Sequence, residues 1–75
     1  MREQLLRAAI AHFESQRLTA RANLEVYLEV AVGVGEHPNL VAEVVKLTEK
    51  ITDAEENIRT LENMLGQTLL AENDA

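Results

Sequence analysis

Apolar side chains recur along this chain at alternating spacings of three and four residues, in two runs separated by one short break. The first run, here called the first seam, consists of Leu6, Ile10, Phe13, Arg17, Ala20, Leu24, Tyr27 and Ala31. The second seam consists of Leu40, Val44, Leu47, Ile51, Ala54, Ile58, Leu61 and Leu65. Such spacings return to one face of an α-helix and are typical of helices that pack at a shallow angle. The pattern predicts two long helices.

The two seams match each other if the chain reverses between them. A reversal over residues 34–37 brings together members whose position numbers sum to 71, for example Leu6 with Leu65 and Leu24 with Leu47. All members of both seams find a partner in this one register. The predicted fold is therefore an all-α, antiparallel two-helix hairpin, which resembles a coiled coil and forms a single domain over residues 1–75.

The break between the seams carries the residues that turn a chain. Gly33 and Gly35 can adopt positive φ at little steric cost, which suits a helix end followed by a turn. Pro38 suits the first turn of the next helix, with His37 as its cap and Asn39 as the alternative cap. The predicted elements are a helix over about 2–31, a turn over 32–37, a helix over 38–66 and a frayed tail over 67–75.

The segment 24–35 also fits a different element. Every even position from Leu24 to Val34 is apolar, and several of these residues are β-branched, as in a half-buried strand. A single strand would have no partner within this chain. Helix is therefore predicted through about Val30, and a strand paired between subunits is the alternative.

Size and composition indicate that the hairpin self-associates. Two rods in contact along one stripe leave most of each helix exposed, and a chain of 75 residues without cysteine has no disulfide or thiolate metal site to stabilise it. Apolar residues beyond the seams concentrate near the turn, at Val26, Val30, Val41 and Val45, whereas the corresponding positions toward the termini are mostly polar. These valines are the predicted interface of a homo-oligomer, most simply a four-helix bundle of two chains.

Charge bears on the class of partner. The net charge of −6 disfavours nucleic acid, which needs a concentrated cationic face. Arg7, Arg17 and Arg21 share one helical side, but Glu14 and Glu25 lie among them. A nucleic-acid-associated accessory factor that uses this side is the alternative function. The simpler interpretation is a solvated face with ion pairs four residues apart, such as the pair of Arg21 with Glu25 and a similar pair nearer the N-terminus, Glu3 with Arg7.

Arg17 is the only charged member of the seams. In the predicted register it faces Ala54, and the small Ala20 lies one layer away, so its stem has room to extend outward to water. The alternative is a polar layer that sets the register or the number of subunits, with Glu14 or another nearby carboxylate as partner.

Catalytic, cofactor and metal chemistry have little support. His12 and His37 are the only histidines, and neither has a glutamate three positions before it, as di-metal bundles require. Gly33-x-Gly35 lacks the strand and the third glycine of a dinucleotide loop, and Ser15 has no histidine spaced to activate it. We expect no enzyme activity, no cofactor and no metal. The first residues show no signal-peptide pattern and no apolar run could span a bilayer, so a soluble, cytoplasmic chain without membrane contact is expected.

One stretch resembles a known group of proteins. It consists of Asn23-Leu24-Glu25-Val26-Tyr27-Leu28, then Val32-Gly33-Val34-Gly35-Glu36-His37-Pro38 and an acidic heptad helix. Over residues 17–65 this resembles small, uncharacterised helical proteins encoded by large tailed bacteriophages, especially those of marine cyanobacteria. Val30-Ala31 stands where that group would have a helix-ending Asn-Pro. The resemblance implies a phage-like origin and a bacterial cytoplasm, and it adds another phage or host protein to the candidate partners. It implies no site residues.

The expected function is therefore interaction. The chain is predicted to be an assembly, scaffold or adaptor protein whose first partner is a second copy of itself.

Overall fold

The computed structural model describes the backbone of residues 1–34 and 39–74, and the side chains of residues 1–29 and 39–73. Helix α1 spans Arg2–Val34 and helix α2 spans Leu40–Asp74, and the two pack against each other. The predicted all-α hairpin is confirmed. It measures 61 × 14 × 13 Å, and its radius of gyration of 17.4 Å far exceeds the value of about 11 Å for a compact globule of this length.

The contact between the helices follows the two seams. Every seam member whose side chain the structure describes is buried or half-buried. Among the described side chains, the buried apolar core consists of Leu6, Ala20, Leu47 and Ala54, with exposed fractions of 8%, 3%, 6% and 0%. Two of these four are alanines, so the helices approach closely but bury little apolar volume.

A hydrogen bond between the helices checks the register. Arg2 Nε donates to Thr68 Oγ1 at 2.8 Å, and this pair lies one residue from the predicted register. Thr68 follows Leu65 by three positions, so it continues the second seam by one layer. Because threonine is polar, the pattern of apolar residues did not indicate this additional layer.

Helix α1 is longer than predicted. It continues to Val34, so residues 32–34, which were predicted to begin the turn, are helical and include Gly33. The strand alternative for residues 24–35 is wrong for the described part of that segment. Gly35, His37 and Pro38 lie outside the described residues.

Helix α2 begins at Leu40. The Asn39 carbonyl accepts a bond from the Glu43 amide at 3.0 Å, as the carbonyl of a capping residue does. Asn39, the alternative cap, therefore occupies the capping position, two residues after the predicted cap at His37.

The C-terminal tail is helical, and the prediction of fraying over 67–75 is wrong through Asp74. Thr68 is 8% exposed and its hydroxyl also donates to the Met64 carbonyl at 3.0 Å. The bond from Arg2 joins this turn to the start of α1 and contributes to the stability of the helix end. Gly66, the expected end, lies inside the helix.

Candidate interaction surfaces

The hairpin has two long sides, each with a shallow groove where the helices meet. One groove is lined by Glu14, Arg17, Glu55, Ile58, Arg59 and Glu62, and is here called the Glu14 side. The other is lined by His12, Ser15, Gln16, Thr19, Ala20, Asn23, Leu47 and Lys50, and is called the His12 side. Residues seven apart lie on the same side of a helix, so a residue one or two heptads from a member of either set lies on the same side as that member.

The three predicted interface valines whose side chains the structure describes, Val26, Val41 and Val45, do not lie in one patch. Val26 follows His12 by two heptads and therefore lies on the His12 side. Val41 and Val45 precede Glu55 and Arg59 by two heptads, so both lie on the Glu14 side. The predicted single interface thus divides between opposite sides of the hairpin.

The exposure of these valines agrees with their assignment outside the seams. Val26 is 57% exposed, Val41 73% and Val45 50%. Leu28, which follows Glu14 by two heptads, is 45% exposed and lies beside Val41 and Val45 on the Glu14 side. The side chain of Val30 lies outside those that the structure describes. The turn-proximal patch on the Glu14 side therefore consists of Leu28, Val41 and Val45.

The terminal end is more apolar than predicted. Met1, Leu5 and Leu70 are 87%, 62% and 66% exposed. Leu5 directly precedes the seam residue Leu6. The seam spacing accounts for Leu6 alone, so it gave no indication that Leu5 would be an exposed apolar residue. Exposed apolar residues thus occur at both ends, and Leu18, which is 60% exposed, lies between them.

The face of α1 that points away from α2 is uncharged from Gln4 to Ala22, and Glu25, one heptad after Leu18, is its first charged residue. Its members are small or apolar, or are neutral polar residues, and all are exposed: Gln4, Leu5, Ala8, Ala11, His12, Ser15, Leu18, Thr19, Ala22 and Val26. We call this set the α1 outer face. The charged residues of α1 before Glu25 lie elsewhere: Arg2 and Glu3 at the N-terminus, Arg17 in the seam, and Arg7, Glu14 and Arg21 on the Glu14 side. The sequence contains this pattern, but only the structure shows that α2 leaves the face uncovered.

The outward face of α2 is different in character. Its exposed residues include Lys46, Glu49, Asp53, Glu56 and Arg59, with more acidic than basic side chains. The hairpin therefore has one neutral and one charged outer face.

Arg17 places a polar atom within the seam. Its Nε is buried without a hydrogen-bond partner among the described residues. Neighbouring seam positions are the small Ala20 and Ala54, which make room for the stem. Glu14 and Glu55 line the same groove, but no ion pair to Arg17 forms in the described part of the chain. A buried donor without a partner costs about 1–3 kcal/mol.

The three arginines of the predicted basic side are not equally available to an anionic partner. Arg7 Nε donates to Glu3 Oε2 at 2.9 Å, which confirms that predicted pair. The guanidinium of Arg17 is partly inside the seam, and carboxylates line its groove. The expected pair of Arg21 with Glu25 does not form within the residues that the structure describes. This side mixes both signs of charge.

No chemical centre is assembled by the described side chains. His12 is exposed, and its ring lies edge-on to the Phe13 ring with centroids 5.1 Å apart. Across residues 1–29 and 39–73, no three His, Asp or Glu residues come together as metal ligands would. His37 lies outside the described residues. Neither helix, over its described length, has an apolar stretch sufficient to cross a bilayer.

The chain matches no protein-family model, no curated protein and no solved structure. The function is therefore inferred from the surfaces described above, and the resemblance to phage-encoded helical proteins stays an expectation.

Proposed function

We propose that this chain is a small assembly or scaffold protein that acts as a homo-oligomer of helical hairpins, most simply four helices from two chains. One observation carries the proposal: the hairpin exposes too much surface for its core. Its accessible surface is 5646 Å², whereas a compact monomer of 8.4 kDa exposes about 4,600 Å². The excess of roughly 1,000 Å² is comparable to what one partner buries in a standard interface, about 800 Å².

The exposed surface includes large apolar side chains that a stable monomer would bury. These are Met1, Leu5, Leu18, Val26, Leu28, Val41, Val45 and Leu70. Burial of one fully exposed side chain of this kind is worth about 1.5–3 kcal/mol, which is a large share of the stability of a small domain. Association with another chain would bury them, and it would also supply the stability that a small protein without cysteine cannot gain from disulfides.

The shape of the hairpin supports a role in interaction. A rod of 61 Å by about 14 Å presents long faces on which other helices can pack. Apolar residues lie on the Glu14 side, on the His12 side and at the terminal end, so a second copy need not occupy every surface. The faces that remain would serve a further protein partner, which gives the assembly or adaptor role its physical basis.

Mass measurement tests the proposal. At micromolar concentration, size exclusion with light scattering should give at least twice 8.4 kDa, and dilution should lower both the mass and the helicity. A monomer that stays helical and melts cooperatively, at a temperature independent of concentration, would contradict it. A gel shift at low salt with duplex DNA and with RNA tests the nucleic-acid alternative, for which the proposal expects no complex.

A further inference from the structure

We infer that the α1 outer face is the contact between copies, and that it packs antiparallel against the same face of a second copy about a twofold axis. This inference rests on the proposed self-association and names the surface that performs it. In the resulting dimer, the two α1 helices lie at the centre and the two α2 helices lie outside. A contact of this kind is closed, because each copy uses the same patch.

Charge selects α1 over α2 for this contact. The α1 outer face has no charged residue from Gln4 to Ala22 and all its members are exposed. The outward face of α2 has both acidic and basic side chains, among them Glu49, Asp53 and Lys46, so a second copy packed there would remove several charges from water. From Gln4 to Ala22, two copies can therefore approach without placing a charge in the middle of the contact. Glu25, one heptad after Leu18, lies opposite Ala8 of the second copy near each end of the contact.

In one register of this contact, the exposed apolar residues of the α1 outer face are covered by the second copy. With the axis between Gln16 and Arg17, residues whose position numbers sum to 33 lie opposite each other, for example Ala11 with Ala22 and Ser15 with Leu18. Leu5 lies beside Val26 of the second copy on one flank of this row. Leu5, Leu18 and Val26, all more than half exposed in the hairpin, are covered together. The alanines let the helix axes come close, so that each large side chain has a small or complementary neighbour.

The same register pairs the charges at its edge. Glu14 and Arg21 lie on the other flank of this face, where Glu14 of each copy lies beside Arg21 of the other. Both side chains are exposed, and neither has an ion-pair partner within the described part of its own chain. A shift by one heptad in either direction places Glu14 against Glu14 or Arg21 against Arg21. Electrostatics thus supports the register that the apolar residues favour.

A charge-reversal cycle tests the pairing in the full-length protein. Glu14→Arg alone and Arg21→Glu alone should each raise the dimer dissociation constant roughly tenfold, because two favourable contacts become repulsive in each case. The double variant restores opposite charges across the axis and should return to within about threefold of the parent. If the effect of Glu14→Arg arose within one chain, through Arg17 or Arg59, then Arg21→Glu would not rescue it, and the inference would be overturned.

Cysteine pairs test the orientation, since the parent chain contains no cysteine. Ala11→Cys combined with Ala22→Cys should form a disulfide-linked dimer on mild oxidation, whereas either variant alone should remain unlinked. A parallel contact would instead link each single variant to its own copy. Glu49→Cys with Thr60→Cys, the same spacing on the outward face of α2, is the matched control and should not link. Linkage of this control, or of the single variants, would overturn the inference.

Mass measurements separate this inference from the proposal beneath it. Leu18→Glu should dissociate the dimer, whereas Val45→Lys, on the Glu14 side of α2, should keep its mass. If the parent chain is itself monomeric, the proposed self-association fails and the inference fails with it. If the parent is dimeric but Val45→Lys dissociates it and Leu18→Glu does not, self-association stands and the α1 contact is wrong. Helicity is recorded for every variant, so that loss of mass is not confused with unfolding.

Discussion

Replacement of Arg17 by leucine should stabilise the protein. The buried Nε of Arg17 has no partner among the described residues, and a buried unsatisfied donor costs about 1–3 kcal/mol. Leucine removes this polar atom and adds apolar contact next to Ala20 and Ala54. We expect Arg17→Leu to raise the free energy of unfolding by about 1–3 kcal/mol. Each kcal/mol corresponds to a rise of roughly 4–8 °C in Tm for a domain of this size.

Two further substitutions isolate the cause. Arg17→Lys places a methylene group where Nε lies and a positive charge one bond beyond that position. Because the buried donor is removed, this variant should show part of the stabilisation expected for Arg17→Leu. Arg59→Leu removes a charge from the same groove without entering the seam, and should change stability by less than about 0.5 kcal/mol.

Thermal unfolding followed by circular dichroism, at one fixed protein concentration, measures these changes because association makes Tm depend on concentration. Mass is measured in parallel, since a polar seam residue can also set the number of subunits. A sharp fall in Tm for both Arg17→Leu and Arg17→Lys would refute the reasoning. It would show that the guanidinium is paired in the assembled protein, where its loss leaves another charge without a partner.

Two other predictions concern the last turns of α2. Thr68→Val removes the acceptor of the Arg2 bond and should cost about 1 kcal/mol and speed amide hydrogen exchange over residues 66–74. Thr60→Val, at an exposed threonine with the same kind of bond to a backbone carbonyl, is the control, and an equal loss there would show that the Arg2 bond contributes nothing. Gly66→Ala should stabilise by about 0.5–1 kcal/mol, because glycine is a poor helix former and a Cβ there meets nothing within 4 Å. Gln67→Ala should change stability far less, and destabilisation by Gly66→Ala would mean that this position contacts a partner.

Much of the fold was predictable because heptad spacing relates directly to one face of a helix. The spacing from Leu6 onward and from Leu40 onward was enough to predict both helices, their antiparallel packing and the register to within one residue. The same periodicity separated Val26, Val41 and Val45 from the seams, and the structure shows all three exposed.

The limits of the helices were less predictable, because local signals compete with contacts that are distant in sequence. Gly66 and the polar residues after it resemble a helix end. A hydrogen bond in this segment joins Arg2 to Thr68, at opposite ends of the chain, and no local pattern indicates it. Gly33 likewise lies within α1 although glycine favours a helix end.

The candidate site shows the same division between local pattern and tertiary structure. By itself, the sequence determined which residues lie outside the seams, because that depends only on position along each helix. It did not determine that Val26 and Val45 face opposite sides of the hairpin, or that the neutral face of α1 is left uncovered. Those facts depend on which flank of one helix meets which flank of the other, and only the packing of α1 on α2 decides that.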